Sequence, residues 1–283
     1  MASAQLFAGS PSVAAGVTVK PPSIQIIESR HNPAFKALRA LAQDNSAYRK
    51  RGQVWIEGDH LCRAVQARGW AVDLAVFAQS MWERLGEATP FSSQRVMVLS
   101  DALFNTLSPL AEDQKMGFVI DLPVLPVVEP GLATVVLDQV QDAGNVGSIL
   151  RSAAAFGFAQ IVALRGTAGL WSPKVLRAGM GAHFALRLIE SASLEDALSL
   201  GVPMLATSSH QGDWLHQCVG PLALPWPCAW LMGHEGQGVQ AALLTAAQRC
   251  VRIAQPGGEE SLNVAAAAAV CLHASAAAQA ALG

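Results

Sequence analysis

From Ala133 onward, short runs of β-branched and apolar residues alternate with stretches of helical periodicity. The strand-like runs read ATVVLDQV, AQIVALR, ALRLIE, PMLATSS, AWLMG and VRIA. This alternation predicts an α/β fold built on a parallel sheet with helices on both faces, because parallel neighbours need a long crossover that is usually a helix. Ligands of such sheets bind beyond the carboxyl ends of the strands. The loops that follow Val140, Leu231 and Ile253 are therefore the candidate binding loops.

The chain before this alternation is predicted to form a smaller α/β domain over residues 24–121. NPAFKALRALAQ places Phe35, Leu38 and Leu41 at helical spacing, and VWIEG, VDLAVFA and RVMVL are strand-like. DLPVLPVVEPG contains three prolines and a glycine, which predicts a linker at 122–131 before a second domain at 132–283. Residues 1–23 lack both the basic start and the leucine-rich stretch of a secretory signal, and are predicted to be a disordered tail.

Net charge is −2 at pH 7, so the chain as a whole lacks the basic balance typical of nucleic-acid-binding proteins. One segment differs, because seven basic residues but only two acidic ones lie between Lys20 and Arg51. This segment ends in Arg49, Lys50 and Arg51. A solvated helix face and an RNA-contacting patch explain it equally well, so both interpretations remain open.

Several classes of protein are disfavoured by what the sequence lacks. The five cysteines are widely spaced with no CxxC pair, which argues against disulfides and zinc and favours a reducing, cytoplasmic location without a bound metal. The apolar run from Val264 to Leu282 is mostly alanine and is interrupted by His273, Ser275 and Gln279, so a buried helix is predicted there rather than a membrane span.

The first candidate loop, DQVQDAGNVGSILRSAAAFG, places Asp142, Gly144 and Asn145 between a strand and a helix that carries Arg151. An asparagine in this position is most simply a helix N-cap. The loop lacks the GxGxxG fingerprint of a dinucleotide-binding fold and the lysine of a phosphate-binding loop. A plain nucleotide-binding Rossmann enzyme therefore loses its main support.

The other two loops are LMGHEGQGV, with Glu235 among glycines, and RIAQPGGEESLNVAAAAAV, which starts an alanine-rich helix near Ser261 or Asn263. Glycines such as Gly233 allow close approach of backbone to a ligand, although they also serve ordinary turn geometry. The serine has no histidine nearby, which disfavours a serine hydrolase.

Taken together, the three loops resemble the three signature motifs of the SpoU (TrmH-like) methyltransferases of the SPOUT superfamily. The first motif is matched by Asn145, Gly147 and Arg151, the second by Gly233, Glu235, Gly236 and Gly238, and the third by Ser261, Leu262 and Asn263. SPKVLRAGMGAHFAL also looks like the family's segment between motifs, and SRHNPAFKALRAL with YRKRG resembles its N-terminal substrate-binding domain. The chain departs from the family where Ala254 and Gln255 replace a common Pro-Met pair and where Ala143 replaces a proline.

The resemblance implies methylation of a ribose 2′-hydroxyl in RNA, with ribosomal RNA preferred over transfer RNA, from S-adenosyl-L-methionine. It also implies a trefoil knot in the C-terminal domain, RNA binding by the N-terminal one, and a homodimer. The cofactor-binding residues would be Leu231, Gly233, Ile253 and Leu262. The catalytic residues would be Asn145, Arg151, Glu235, Ser261 and Asn263.

Arg151 is the residue for which the resemblance implies the most direct catalytic role. Its guanidinium pKa lies above about 12, so it suits gripping a phosphate and stabilising a developing alkoxide better than accepting a proton. Glu235 fits a structural or a catalytic role equally. The alternative function is a non-catalytic RNA-binding or ribosome-assembly protein with the same fold, although the intact polar motif residues disfavour it.

Overall fold

The computed structural model describes residues 22–86, 91, 93, 95–108, 111, 114–124, 126–208, 211–220, 223–257 and 261–280. These residues form two sheets, an N-terminal sheet of five strands and a C-terminal sheet of seven. Residues 1–21 of the predicted tail lie outside the described part, and Ser23 already begins the first strand. The domain boundary predicted at Ile24 stays a prediction.

The N-terminal sheet has the order β1-β4-β3-β5-β2, in which β5 is antiparallel to both of its neighbours. Its strands are β1 Ser23–Ile27, β2 Gln53–Glu57, β3 Leu74–Ala78, β4 Arg95–Leu99 and β5 Met116–Asp121. The accompanying helices are α1 Pro33–Gln43, α2 Ala47–Arg51, α3 Asp59–Ala67, α4 Gln79–Leu85 and α5 Asp101–Asn105. Helix α1 begins after Asn32, whose side chain accepts from the Ala34 N–H, and it buries the predicted Phe35, Leu38 and Leu41.

The C-terminal sheet is parallel throughout and has the order β10-β12-β9-β11-β6-β7-β8. Its strands are β6 Thr134–Asp138, β7 Gln160–Leu164, β8 Arg187–Ala192, β9 Met204–Thr207, β10 Asp213–Trp214, β11 Ala229–Gly233 and β12 Arg249–Arg252. Val135 and Leu137 enter one hydrophobic core while Val136 enters another, so side chains are buried on both faces of the sheet. The predicted parallel α/β arrangement is confirmed.

Five α-helices accompany this sheet within the described residues: α6 Ala143–Ala155, α7 Pro173–Gly179, α8 Leu194–Leu198, α9 Ala241–Ala246 and α10 Val264–Ala280. Short 3-10 helices span Ala182–Ala185 and Leu215–Gln217. Helix α10 packs against α6 and β11, and the Trp230 indole N–H donates to Ser275 Oγ at 2.9 Å. The prediction of a buried C-terminal helix is only half right, because Cys271 and Leu272 are buried while Val270 is 43% exposed. Among the described helices, none has the length and hydropathy needed to cross a membrane.

The two halves of the chain contact each other through aromatic side chains and through a buried hydrogen bond, which the sequence did not indicate. Trp70 lies against Trp171 and Phe184, with ring centroids 6.0 and 5.3 Å apart. The Tyr48 hydroxyl donates to the buried Glu190 carboxylate at 2.7 Å. Segment 122–131 contains neither helix nor strand in its described residues.

Candidate active site

A pocket of about 360 Å³ opens beyond the carboxyl ends of β11 and β12, where the parallel sheet predicts a ligand site. The size falls within the usual range of small-molecule pockets. Six of the nine predicted site residues line it, namely Gly233, Glu235, Ile253, Ser261, Leu262 and Asn263. The second and third motif loops are therefore brought together by the fold, although Gly238 and Ser261 lie 23 positions apart along the chain.

The loop after β11 turns back on the strand that precedes it. The His234 N–H donates to the Gly238 carbonyl at 3.1 Å and the Gly238 N–H donates to the His234 carbonyl at 2.8 Å. A Cβ at position 233 would lie 2.2 Å from the Gly238 carbonyl carbon and 2.3 Å from the Val239 nitrogen. Only glycine at position 233 allows this close approach of backbone to backbone.

This loop is also tied to the neighbouring strand of the sheet. Asp138, at the end of β6, is buried and accepts from the Gln240 backbone N–H at 2.7 Å and from Gln240 Nε2 at 2.9 Å. Because β6 pairs with β11, these bonds hold the loop across the carboxyl ends of both strands. The pocket wall formed by this loop is thus positioned by two independent sets of hydrogen bonds.

Three polar side chains, one from each motif, form a connected network at the pocket. Asn145 Nδ2 donates to Glu235 Oε1 at 3.0 Å, and Asn263 Nδ2 donates to Asn145 Oδ1 at 2.9 Å. The N-cap of α6 is Asp142, whose Oδ1 accepts from the Asn145 N–H at 2.7 Å. The simplest interpretation of Asn145, as a helix cap, is therefore wrong, and its amide is free to join the network.

The carboxylate of Glu235 is held in its charged form. Partial burial by itself would raise the pKa of Glu235, but hydrogen bonds from Asn145 and from the backbone N–H groups of Gln141 and Asp142 outweigh this effect and lower the pKa. A carboxylate that accepts three hydrogen bonds and stays ionised suits fixing the Asn145 amide better than accepting a proton.

Gln255 is a pocket residue that the sequence indicated only as a departure from the family pattern. It lines the pocket two residues beyond Ile253, and its Oε1 is buried without a hydrogen-bond partner among the described residues. A buried acceptor without a partner carries a desolvation cost that a ligand donor would relieve. Its place directly after a strand end was the one signal that could have marked it.

Three predicted site residues do not line the pocket: Asn145, which contacts it through Glu235 and Asn263, and the two residues Leu231 and Arg151. Leu231 is fully buried in β11 and packs in the core, so its cofactor contact stays a prediction. Arg151 is exposed on α6, six residues beyond Asn145, and forms no hydrogen bond or ion pair with another described residue. Six residues correspond to about 120° around a helix, so Arg151 faces away from the polar network of its own chain.

In the described part of the chain, no group of three or more His, Cys, Asp or Glu side chains is placed to hold a metal ion. All five cysteines are free thiols, and burial raises the pKa of Cys271 to about 12. None of these thiols is suited to act as a nucleophile or a metal ligand.

The fold and the pocket define an α/β protein with a small-molecule pocket at the carboxyl edge of a parallel sheet, beside a polar network of three side chains. Residues 133–273 match the SpoU rRNA Methylase family. An uncharacterized tRNA/rRNA methyltransferase of Synechocystis sp. is 31% identical over 266 residues, which cover 88% of this chain and 93% of the relative. This chain belongs to the SpoU methyltransferase family and is an RNA methyltransferase.

Two further comparisons agree with this assignment. The 23S rRNA (guanosine(2553)-2′-O)-methyltransferase of Bacillus subtilis is 29% identical over 255 residues, which cover 87% of this chain and 97% of that relative. The crystal structure of an AdoMet-bound rRNA methyltransferase from Sinorhizobium meliloti superposes with a TM-score of 0.74 at 25% identity, covering 89% of this chain and 97% of that one. Both similarities extend over the N-terminal as well as the C-terminal sheet.

Proposed function

We propose that this protein methylates a ribose 2′-hydroxyl of ribosomal RNA with S-adenosyl-L-methionine as methyl donor. The observation that carries the proposal is the network of Asn145, Glu235 and Asn263, which joins all three motif loops beside one pocket. The relatives named above as rRNA methyltransferases support the substrate class.

The pocket fits the cofactor by its volume and by the unpartnered acceptor of Gln255. Gly233, Ile253 and Leu262 would hold the cofactor along the pocket wall, and Leu231 would contribute through its backbone. When bound, S-adenosyl-L-methionine supplies an electrophilic methyl group on a positively charged sulfur. Gln255 Oε1 would accept a hydrogen bond from a donor group of the same ligand.

The polar side chains would orient the ribose. Asn145 is fixed at both ends of its amide, by Glu235 and by Asn263, so its position is set before the RNA binds. Ser261 lines the pocket beside Asn263 and would donate to or accept from the sugar hydroxyls. We assign Glu235 the role of positioning Asn145. Holding the reacting atoms in this way lowers a barrier by several kcal/mol. The proton that the ribose hydroxyl loses would pass to a phosphate oxygen or to water.

Arg151 would act from a second copy of the chain. Its side chain is exposed on α6, and the adjacent α10 exposes Ala266, Val270, His273 and Ala277 along one face, which is small and apolar apart from the histidine. Small side chains allow close helix packing, and Val270 adds apolar area, so we propose that this face forms the interface of a homodimer. Arg151 would then lie beside the partner's polar network and grip an RNA phosphate there.

The remaining parts of the proposal concern organisation. We propose that residues 24–121 bind the RNA substrate, that 122–131 link the domains and that 132–283 form the catalytic domain. A trefoil knot is supported by the start of α10, where Asn263 contacts Asn145, and by the packing of α10 against β11. A cytoplasmic location is supported by the five free thiols.

The decisive experiment is incorporation of labelled methyl groups from S-adenosyl-L-methionine into in vitro transcribed 23S rRNA, followed by mapping of the modified ribose. We expect incorporation with the wild-type protein and at least a tenfold loss with Asn145→Ala, whose cofactor affinity should change little. RNA binding without methyl incorporation by the wild type would instead support the non-catalytic ribosome-assembly protein.

A further inference from the structure

A second depression, which we call the junction depression, lies where the two sheets meet and is distinct from the pocket described above. It measures about 490 Å³ and is lined by Asn45 from the α1–α2 connection, by the loop 141–144 and by Ser172, Lys174 and Arg177 around α7. Its residues thus come from both halves of the chain. One wall is the loop that leads directly into Asn145, so the depression adjoins the polar network.

Basic groups predominate around the junction depression. Lys174 is exposed and has no partner among the described residues, and Arg177, one helical turn further, is 47% exposed in its side chain. Arg49 of α2 also lies at this depression. Gly169 is one of its lining residues, and a Cβ on Gly169 would lie 3.0 Å from Arg49 Nη2. The one acidic lining residue, Asp142, is engaged as the N-cap of α6.

The two arginines are held in place by buried carboxylates of the opposite half of the chain. Arg177 Nη1 lies 3.1 Å from Glu57 Oε2, and Arg49 Nη2 lies 3.4 Å from Glu190 Oε1. Each contact occupies one nitrogen of a guanidinium that carries five N–H donors. The other donors remain available, and the contacts fix the guanidinium groups at the rim of the depression.

A third depression, the basic depression, continues this surface onto the N-terminal half. It is lined by Arg30, His31, Lys36, Arg39, Ala40, Gln43 and Asp44, and its last residue precedes Asn45 of the junction depression. Arg30, Lys36 and Arg39 are exposed and have no partner in the described part of the chain. The basic depression therefore leads into the junction depression, whose lining includes Gly144, the residue before Asn145.

We infer that the RNA backbone runs from the basic depression through the junction depression to Asn145, and that Lys174 and Arg177 bind a phosphate adjoining the methylated nucleotide. This inference rests on the proposed function and specifies the path of its substrate. A row of exposed basic side chains leading to a reaction centre fits a polyanion, whose phosphates are the groups that arginine and lysine neutralise. Lys174 and Arg177 are then positioning residues that belong to the catalytic half of the chain.

The test measures the salt dependence of binding to in vitro transcribed 23S rRNA with the full-length protein. Lys174→Gln removes one charge without disturbing an ion pair, and we expect the slope of log Kd against log salt to fall by about 0.7 to 0.9. At 0.1 M salt this corresponds to a rise in Kd of roughly five- to tenfold. Arg177→Gln is the less clean variant, because it would leave the buried Glu57 carboxylate without its partner.

Arg63→Gln is the matched control, since Arg63 is 61% exposed in its side chain on α3 and lines neither depression. Lys36→Gln combined with Arg39→Gln should lower the slope by about 1.4 to 1.8. In methylation assays Lys174→Gln should raise the KM for RNA while the affinity for S-adenosylhomocysteine stays at the wild-type value.

A slope for Lys174→Gln equal to that of the wild type and of Arg63→Gln would overturn the inference. Absence of methyl transfer by the wild-type protein would contradict the proposed function. In that case the slope of log Kd against log salt would still report on the path of the bound RNA. A wild-type protein that binds none of 23S rRNA, 16S rRNA or transfer RNA would overturn both.

Discussion

Gly233→Ala offers the sharpest test of how the loop after β11 builds the pocket. An added Cβ would lie 2.2 Å from the Gly238 carbonyl carbon and 2.3 Å from the Val239 nitrogen, far inside ordinary contact distance. Both contacts are with backbone, so no rotamer change relieves them, and the loop must move by more than about 1 Å. We expect this movement to widen or collapse the cofactor pocket.

The size of the effect follows from the bonds that the movement breaks. The two hydrogen bonds between His234 and Gly238 close the loop, and a hydrogen bond contributes about 1 kcal/mol to stability. Gly233→Ala should therefore lower the free energy of unfolding by about 2 kcal/mol. The loss of the aligned pocket wall should raise the Kd for S-adenosylhomocysteine by tenfold or more, because a shift of this size misplaces every ligand contact on that wall.

Gly236→Ala is the matched control within the same loop. A Cβ at position 236 would meet nothing closer than the His234 ring at 3.7 Å, which is an ordinary contact. We expect a stability change within about 0.5 kcal/mol and nearly unchanged ligand affinity. The assays are urea unfolding and calorimetric binding of S-adenosylhomocysteine. Equal behaviour of the two variants would refute the argument that backbone contact at Gly233 shapes the pocket.

Three further predictions address the reaction, the assembly and the dependence on pH. Arg151→Lys should abolish most single-turnover methylation and leave S-adenosylhomocysteine affinity unchanged, because lysine keeps the charge but loses the planar fork. Mixing the Arg151→Lys variant with the Asn263→Ala variant should restore part of the activity in heterodimers. No restoration would contradict the action of Arg151 across the interface. Light scattering should give the mass of a dimer for the wild type and the mass of a folded monomer for Val270→Glu, since Val270 is 43% exposed on α10. A wild-type monomer at micromolar concentration would contradict the proposed dimer. Burial lowers the pKa of His183 from 6.5 to about 4. Between these two pH values the unfolded chain binds a proton that the folded chain excludes. Acidification from pH 7 to pH 4 should therefore lower the free energy of unfolding by about 3 kcal/mol. The raised pKa of Glu57 has the opposite effect on stability as the pH falls. The measurement is therefore the difference in urea unfolding between the wild type and His183→Gln at each pH. Parallel pH profiles of the two proteins would show that His183 is not responsible.

The sequence by itself determined the main features of the C-terminal half. Six of its seven described strands were indicated by runs of apolar residues, because strands buried on both faces leave a continuous hydrophobic signal. The exception, β10, is two residues long and too short for such a signal. In the N-terminal half, β1 and β5 were not among the predicted strands. Ile24 and Ile26 of β1 are exposed, so the apolar residues of this strand do not mark a buried face.

What only the tertiary structure decided are the contacts between distant parts of the chain. The sequence placed Asn145, Glu235 and Asn263 in three loops, but left open whether Asn145 caps its own helix. The order of the strands, with β6 beside β11, brings together side chains 90 and 118 residues apart, and it is Asp142 that caps α6. The exposure of Arg151 and the joining of the two sheets at Trp70 were decided in the same way. Local patterns report which face of an element is buried, whereas the neighbour that buries it depends on packing of the whole chain.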